Sequence, residues 1–238
     1  MTARGDEPEG WDPTRPLADA DADAESRGET GAEEGGAGVA RGSSGGAGPP
    51  VLLPHLERLA ALATRASGLE EGAARYARWV VETLRAGGKL LMCGNGGSAA
   101  TAEHVAAENL VRFDRARRPL PAVALTGAGA VTSAAANDFS WEEVFERPLR
   151  ALASPGDLVV LHSTTGESEN VLRAARAASG AGIRTVALLA AGGGRVAAEV
   201  DLALVVPTDE PARAQELHLA IEHAVADRVD AAFAGEAP

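Results

Sequence analysis

Residues 90–113, LLMCGNGGSAATAEHVAAENLVRF, set a histidine and a glutamate four apart just past a glycine-rich turn. If the chain is helical after Gly94-Asn95-Gly96-Gly97-Ser98, His104 and Glu108 stand on one face, about one turn apart. Such a pair can ligate a divalent metal or position a general base. It is also a common surface pair, so this spacing alone decides nothing. A second group, Gln215, His218, Glu222 and His223, lies in an otherwise Ala- and Leu-rich stretch near the C-terminus. Two groups of acid, base and ligand types in one chain favour a shared site.

A third stretch, LHSTTGESEN at 161–170, puts four hydroxyls around Gly166: Ser163, Thr164, Thr165 and Ser168. Hydroxyls combined with the free N–H groups of a helix start hold an anion without a basic side chain. Helix capping needs only one hydroxyl, so four favour a phosphate monoester. Residues 94–99 also fit the G-x-G-x-x-A pattern of dinucleotide-binding turns. That reading needs an acid at the end of the next strand to hold the ribose. Here PAVAL runs into Thr126-Gly127-Ala128 without one, and the dinucleotide reading is set aside.

These residues need elements to position them. Apolar residues at helical spacing predict helices over 51–66 and 69–86, the second stopped by Gly87 and Gly88. KLLMCG is too short for a helix and reads as a buried strand. The alternation continues with a helix from Ser98 to about Arg112, a strand at 121–125 and a largely helical stretch over 130–153, broken near NDFSW. A strand at 157–163, a helix at 167–180 and a strand at 183–190 follow. A short helix in GGRVAAEV, a strand at 201–207 and a helix over 211–233 complete the chain. Near-continuous apolar strands alternating with helices predict an α/β fold, a three-layer αβα sandwich around a five-stranded parallel sheet, preceded by two helices. Ligands in such folds bind beyond the carboxyl ends of the strands, where the glycine turn and the hydroxyl loop fall.

Residues 1–50 hold 11 acids and 4 bases, with Trp11, Leu17 and Val39 the only sizeable apolar groups past Met1. Too little apolar surface is present to offset an ordering cost of about 1–2 kcal/mol per residue, so 1–50 is expected to be a disordered acidic tail. Of the net −12, the tail carries 4 − 11 = −7 and residues 51–238 carry 18 − 23 = −5. A mildly acidic domain argues against nucleic acid as a ligand. The short basic run from Arg112 to Arg118 reads as a solvated loop face. Cys93 is the single cysteine, which excludes an internal disulfide and reads as a core thiol. No signal peptide or apolar membrane span is legible, and the expected location is the cytoplasm. His55 reads as a helix-surface residue and His162 as a neighbour of the hydroxyl loop. His218 is either a partner of the site residues or an interface residue.

CGNGGSA, HSTTGESEN and PARAQELHLAIEH, in that order on an alternating chain, resemble the sugar isomerase (SIS) domain, and within it the phosphoheptose isomerases. The resemblance covers about 51–234. It implies an aldose–ketose isomerase that converts sedoheptulose 7-phosphate to D-glycero-D-manno-heptose 7-phosphate. It implies zinc, one Zn2+ per site, held by His104, Glu108, Gln215 and His223, with Glu108 and His223 serving the proton transfers. It implies substrate contacts at Asn95, Gly96, Gly97, Glu108, Asn137, Asp138, Ser163, Thr164, Thr165, Ser168 and Gln215. It also implies a homotetramer with shared active sites. Two alternatives stay open: an isomerase of another sugar phosphate, and a non-catalytic SIS protein that binds a partner of the replication-initiator type.

Two points stand apart from the resemblance. Gln215 and His223 are eight apart, about 12 Å along a straight helix. One metal reaches both only if Gln215 sits at a loosened helix start or if the ligands come from different subunits. The phosphate loop of the family usually reads Ser-Thr-Ser-Gly-Asn-Ser. Here Glu167 replaces the Asn and sets a carboxylate beside the expected phosphate unless it points away. Deleting residues 1–50 is expected to leave the melting temperature unchanged; a drop of several degrees would show that the tail packs on the domain.

Overall fold

The computed structural model describes residues 48–236, so the expected tail lies, but for its last three residues, outside the described residues. From Leu53 the chain forms α1 (Leu53–Arg65), entered through a proline in its first turn, then α2 (Glu70–Arg85) after one 3-10 turn. Glu70 and Glu71 open α2 and Arg85 closes it, each suiting the helix dipole, and Gly87 reverses the chain with a φ of +85°.

β1 (Leu90–Gly94), α3 (Gly97–Leu110), β2 (Ala122–Ala124), α4 (Gly129–Asp138) and α5 (Glu146–Leu152) follow. After them come β3 (Leu158–Ser163), α6 (Glu169–Gly180), β4 (Arg184–Leu189), β5 (Leu202–Val205) and α7 (Pro211–Phe233). All pairings are parallel and the strand order is β2-β1-β3-β4-β5. The expected five-stranded sheet and its helical layers are present.

The sheet is buried on both faces, as parallel sheets must be. Leu90 and Met92 of β1 face a core shared with Tyr76 and Val80 of α2, Val105 of α3 and Val229 and Phe233 of α7. Leu91 and Cys93 face the other way, toward Leu149 of α5 and Val171 and Leu172 of α6. Cys93 is fully buried, and that burial pushes its thiol up to about 12, which leaves it a core thiol. Among the described residues, no helix is long and apolar enough to cross a membrane.

The structure departs from the expected elements in detail. The break near NDFSW separates α4 from a 3-10 turn at Trp141–Glu143 and then α5. The short helix expected in GGRVAAEV is two 3-10 turns, Ala191–Gly193 and Val196–Glu199. Gly192, Gly193 and Gly194 have φ of +79°, +91° and +55°, a left-handed run that no α-helix accommodates.

Arg117 is also misread as part of a solvated face, because its side chain is 2% exposed. Its Nε donates to Asp230 Oδ1 at 2.6 Å, and its Nη groups donate to the Glu108 and Asn109 carbonyls at 2.8 and 2.9 Å. Those are among the last carbonyls of α3, which have no partner within the helix. Arg117 therefore finishes α3 and ties it to α7. Asp230 Oδ2 accepts the N–H groups of Asp114 and Arg115, each at 2.8 Å. Burial alone would raise the Asp230 carboxyl, but these N–H groups and the Arg117 guanidinium outweigh it and hold its pKa low.

Arg117→Met strands a buried carboxylate and is expected to cost about 3–5 kcal/mol in denaturant unfolding. A carboxyl with a lowered folded pKa stabilises above its unfolded value and loses that contribution as pH falls through the folded one. The deficit should therefore shrink below about pH 4, where the unfolded carboxyl titrates. A deficit constant from neutral pH to acid would show that lost packing, not the pair, sets it.

Candidate active site

Strand order reverses between β1 and β3, since β1 leads outward to β2 while β3 leads the other way to β4. The connections leaving these two strands diverge and open a crevice at their carboxyl ends. The glycine turn leaves β1 there and the hydroxyl loop leaves β3, with Gly94 and His162 in register. Asn95 Nδ2 donates to Asn170 Oδ1 and Asn170 Nδ2 donates to Asn95 Oδ1, both at 2.9 Å. This reciprocal amide pair braces one turn against the other, and Asn170 is buried.

Gly96, with φ +55° and ψ −120°, swings the chain from β1 into α3. A Cβ on Gly97 would fall inside the Gln215 amide. Gly97 leaves room for the Gln215 amide where α7 crosses the turn, and the crossing brings α3 and α7 side by side. Along that contact His104, Glu108 and His223 meet. Glu108 Oε1 lies 3.0 Å from His104 Nε2 and 3.3 Å from His223 Nε2, and the two Nε2 atoms are 3.2 Å apart. Two bare imidazole nitrogens do not approach so closely, so a proton or a cation belongs between them. Among the described residues, Glu108 Oε2 is buried without a hydrogen-bond partner. Phe113, just beyond α3, stacks on the His223 ring at 5.4 Å between centroids.

The hydroxyl loop is folded on itself. Ser163 Oγ accepts the Gly166 N–H at 3.0 Å and Thr165 Oγ1 accepts the Glu167 N–H at 3.2 Å. Ser168 is extended at the start of α6 and makes no side-chain capping bond to it. The capping explanation of Ser168 is thereby removed; of the first-turn N–H groups, that of Val171 donates to Asn170 Oδ1 at 2.9 Å, which leaves those of Glu169 and Asn170 to face an anion. Gly166 has a φ of +67°, and a Cβ there would collide with the Gly193 carbonyl.

The SIS domain family profile matches residues 56–190. A phosphoheptose isomerase of Roseiflexus sp. is 50% identical over 151 residues, which span 63% of this chain and 77% of that protein. One from Aliarcobacter butzleri is 40% identical over 179 residues, spanning 75% and 93%. The chain belongs to the phosphoheptose isomerase family of SIS-domain proteins. Among solved structures, phosphoheptose isomerase from Neisseria gonorrhoeae superposes with a TM-score of 0.71 at 36% identity, covering 76% of this chain and 97% of that one. The enzyme from Francisella tularensis gives 0.73 at 33% identity, with 76% and 96% covered.

The other residues that the resemblance singled out are placed as follows. Gln215 sits inside the regular part of α7, two turns from His223, so the loosened helix start is not what the chain adopts. Asn137 and Asp138 end α4, exposed, with Asn137 Nδ2 donating to Asp138 Oδ1 at 2.8 Å. Among the described residues, no hydrogen bond joins them to the His104, Glu108 and His223 cluster. His218 is buried, and that burial lowers its pKa to about 4, so the ring is neutral; its Nε2–H donates to the Leu189 carbonyl at 3.1 Å. His55 is less free than a surface residue: Nε2 pairs with Glu216 at 3.0 Å and Nδ1 accepts from Arg213 at 2.8 Å.

The sequence reading missed a buried network behind the SIS crevice. Glu222 Oε1 accepts from His162 Nε2 at 2.8 Å, and Tyr76 Oη donates to Glu222 Oε2 at 3.0 Å. All three side chains are buried, and burial together with the Glu222 carboxylate raises the Tyr76 phenol well above its ordinary pKa. The available signal was a polar His162 ending an otherwise apolar strand. Asn170 and Phe113 were also missed, and neither carried a spacing that would single it out.

Gly166→Ala is expected to lose about 1–3 kcal/mol of stability from the left-handed backbone alone. The collision with Gly193 should add to that loss. A thermal melt that superimposes on wild type would show that the loop has another conformation available to it.

Proposed function

We propose that the protein interconverts sedoheptulose 7-phosphate and D-glycero-D-manno-heptose 7-phosphate through an enediolate. It is a phosphosugar isomerase, as its 40–50% identical relatives are named. The observation that carries the reading is the meeting of His104, Glu108 and His223 where α3 and α7 run side by side. A module that only bound a partner protein would have no use for two imidazoles and a carboxylate converging on one point. The hydroxyl loop, Ser163 to Ser168, is assigned to the phosphate, with Ser163, Thr164, Thr165 and Ser168 and the open start of α6 as donors. Asn95, Gly96 and Gly97 are assigned to the sugar at the other wall, joined by Gln215 and by Asn137 and Asp138.

The reaction moves one proton from C1 to C2 and one from the O1 hydroxyl to O2. Glu108 Oε1 lies against the imidazoles, and the Glu108 carboxylate is assigned the carbon-bound proton. His223, held by Phe113, is assigned the proton that shifts between the two oxygens.

The cluster suits a divalent metal. Its ligand atoms lie within 4.8 Å of one another, and two imidazoles with a carboxylate form a donor set typical of zinc. His104, Glu108 and His223 would hold it, and zinc bound there would polarise the substrate oxygens. Gln215, the fourth ligand implied by the family, lies two turns along α7 from His223. That separation supports a homotetramer in which sites are shared between subunits, and the exposed Leu52, Leu53 and Leu56 at the start of α1 supply apolar surface for contact. The reading assigns the enzyme to the cytoplasm, where charge retains a phosphorylated ketose.

Incubation with sedoheptulose 7-phosphate should give the aldose and exchange of the C1 proton with solvent. Glu108→Gln is expected to lower kcat about 100-fold or more with substrate still bound. His223→Asn should lose a comparable factor, and the double variant less than the product of the two. Metal content and oligomeric state measured on each variant separate lost ligation from lost proton transfer. Near-wild-type turnover by folded Glu108→Gln would make the cluster structural and bring the partner-binding reading forward.

A further inference from the structure

Glu167 lies inside the loop assigned to the phosphate, one residue before Ser168 and two after Thr165. An uncompensated carboxylate there repels a dianion. Its surroundings are specific. Glu167 Oε2 accepts from Arg195 Nε at 2.9 Å, and Oε1 accepts the Arg195 backbone N–H at 3.1 Å. The Arg195 Nη2 donates to the Glu167 carbonyl at 2.8 Å and Nη1 to Glu169 Oε2 at 3.0 Å. One arginine thus grips the carboxylate and carbonyl of Glu167 and the first acid of α6. These bonds to Glu167 and then Glu169 raise the pKa of the guanidinium further.

The backbone behind this grip is built for close approach. The Val196 N–H donates to the Gly166 carbonyl at 3.0 Å. A Cβ on Gly194 would crowd the Thr165 carbonyl and the Glu167 carboxylate, and one on Gly166 would strike Gly193. Gly166 and Gly194 therefore let the turn after β4 lie directly against the hydroxyl loop, and Arg195 is the side chain this contact delivers.

We infer that Arg195 is the positioning residue of the phosphate loop, holding it in its anion-binding shape and turning the Glu167 carboxylate onto its own guanidinium and N–H. This rests on the assignment of 163–168 to the phosphate. A loop with an acid in place of the usual Asn keeps its affinity for a dianion because the neighbouring turn supplies the compensating cation. The arginine acts through Glu167 and does not itself need to touch the substrate.

The test compares wild type, Arg195→Ala, Arg195→Lys and the double variant Arg195→Ala/Glu167→Gln, all as full chains. Arg195→Ala should raise KM for sedoheptulose 7-phosphate about tenfold while kcat changes far less, the pattern of lost uniform binding. Arg195→Lys keeps the charge but loses the fork, and should fall between the two. The deciding value is the double variant. If the uncovered carboxylate is the cause, removing it recovers most of the lost affinity. A purely structural arginine predicts a double variant no better than Arg195→Ala. Calorimetric titration with inorganic phosphate should give the same order of affinities. An unchanged KM in Arg195→Ala, or a double variant without recovery, would overturn the inference. Absence of turnover in wild type with the phosphate order intact would overturn the reaction and leave the inference standing. Absence of phosphate binding in wild type would overturn the assignment of 163–168 and the inference with it, whatever the turnover.

Discussion

Two loops leave the sheet in opposite directions at β1 and β3, and the rest of the site depends on keeping them a fixed distance apart. The reversal of strand order creates the gap. The reciprocal bonds between Asn95 and Asn170 set its width, because the two mutual bonds form together at only one separation. On one side the brace holds the glycine turn from which α3 starts, and so the angle at which Glu108 is presented. On the other it holds the first turn of α6, and so the hydroxyl loop that leads into it. A slack brace would loosen the carboxylate and the anion loop together.

The second requirement is that α7 stay aligned with α3, since the cluster is drawn from both. Apolar contact alone would let the two helices slide. Two buried polar contacts oppose this at different heights. Arg117 joins Asp230 of α7 to the last carbonyls of α3, including that of Glu108 itself. Glu222 of α7 is bonded to His162 at the end of β3 and to Tyr76 of α2. Buried charges contribute less to stability than apolar packing of the same volume, yet they have only one satisfied arrangement. Here that arrangement fixes the helix register that brings His223 to His104.

Much of this was legible in the sequence, for reasons that can be named. The parallel sheet was legible because strands buried on both faces are continuous apolar runs, as in LLMCG and LVVLHS. His104 and Glu108 were legible because helical spacing places them together whatever the tertiary structure. The union of His223 with that pair rested on resemblance, since no local pattern connects residues 119 apart in the chain. Asn170, Phe113 and the His162–Glu222 pair were not legible for the same reason: each acts through one long-range contact. Arg117 was misread because charge density along a loop says nothing about which side chain turns inward.

The charge of the hydroxyl loop is balanced from outside the loop. An acid next to the proposed phosphate subsite conflicts with the elementary requirement for anion binding, and a reading confined to residues 161–170 registers only the conflict. The sheet places β4 beside β3, so the turn after β4 lies against the loop after β3. Gly166 and Gly194 let the two backbones touch, and Arg195 then lies within hydrogen-bond reach of Glu167. The compensation is thus a consequence of strand order. Two neighbouring parallel strands give adjacent exit loops, and a charge in one loop is balanced most directly from the other. The same adjacency brings Asn95 to Asn170 across β1 and β3, so both contacts that shape the hydroxyl loop come from the strands flanking it.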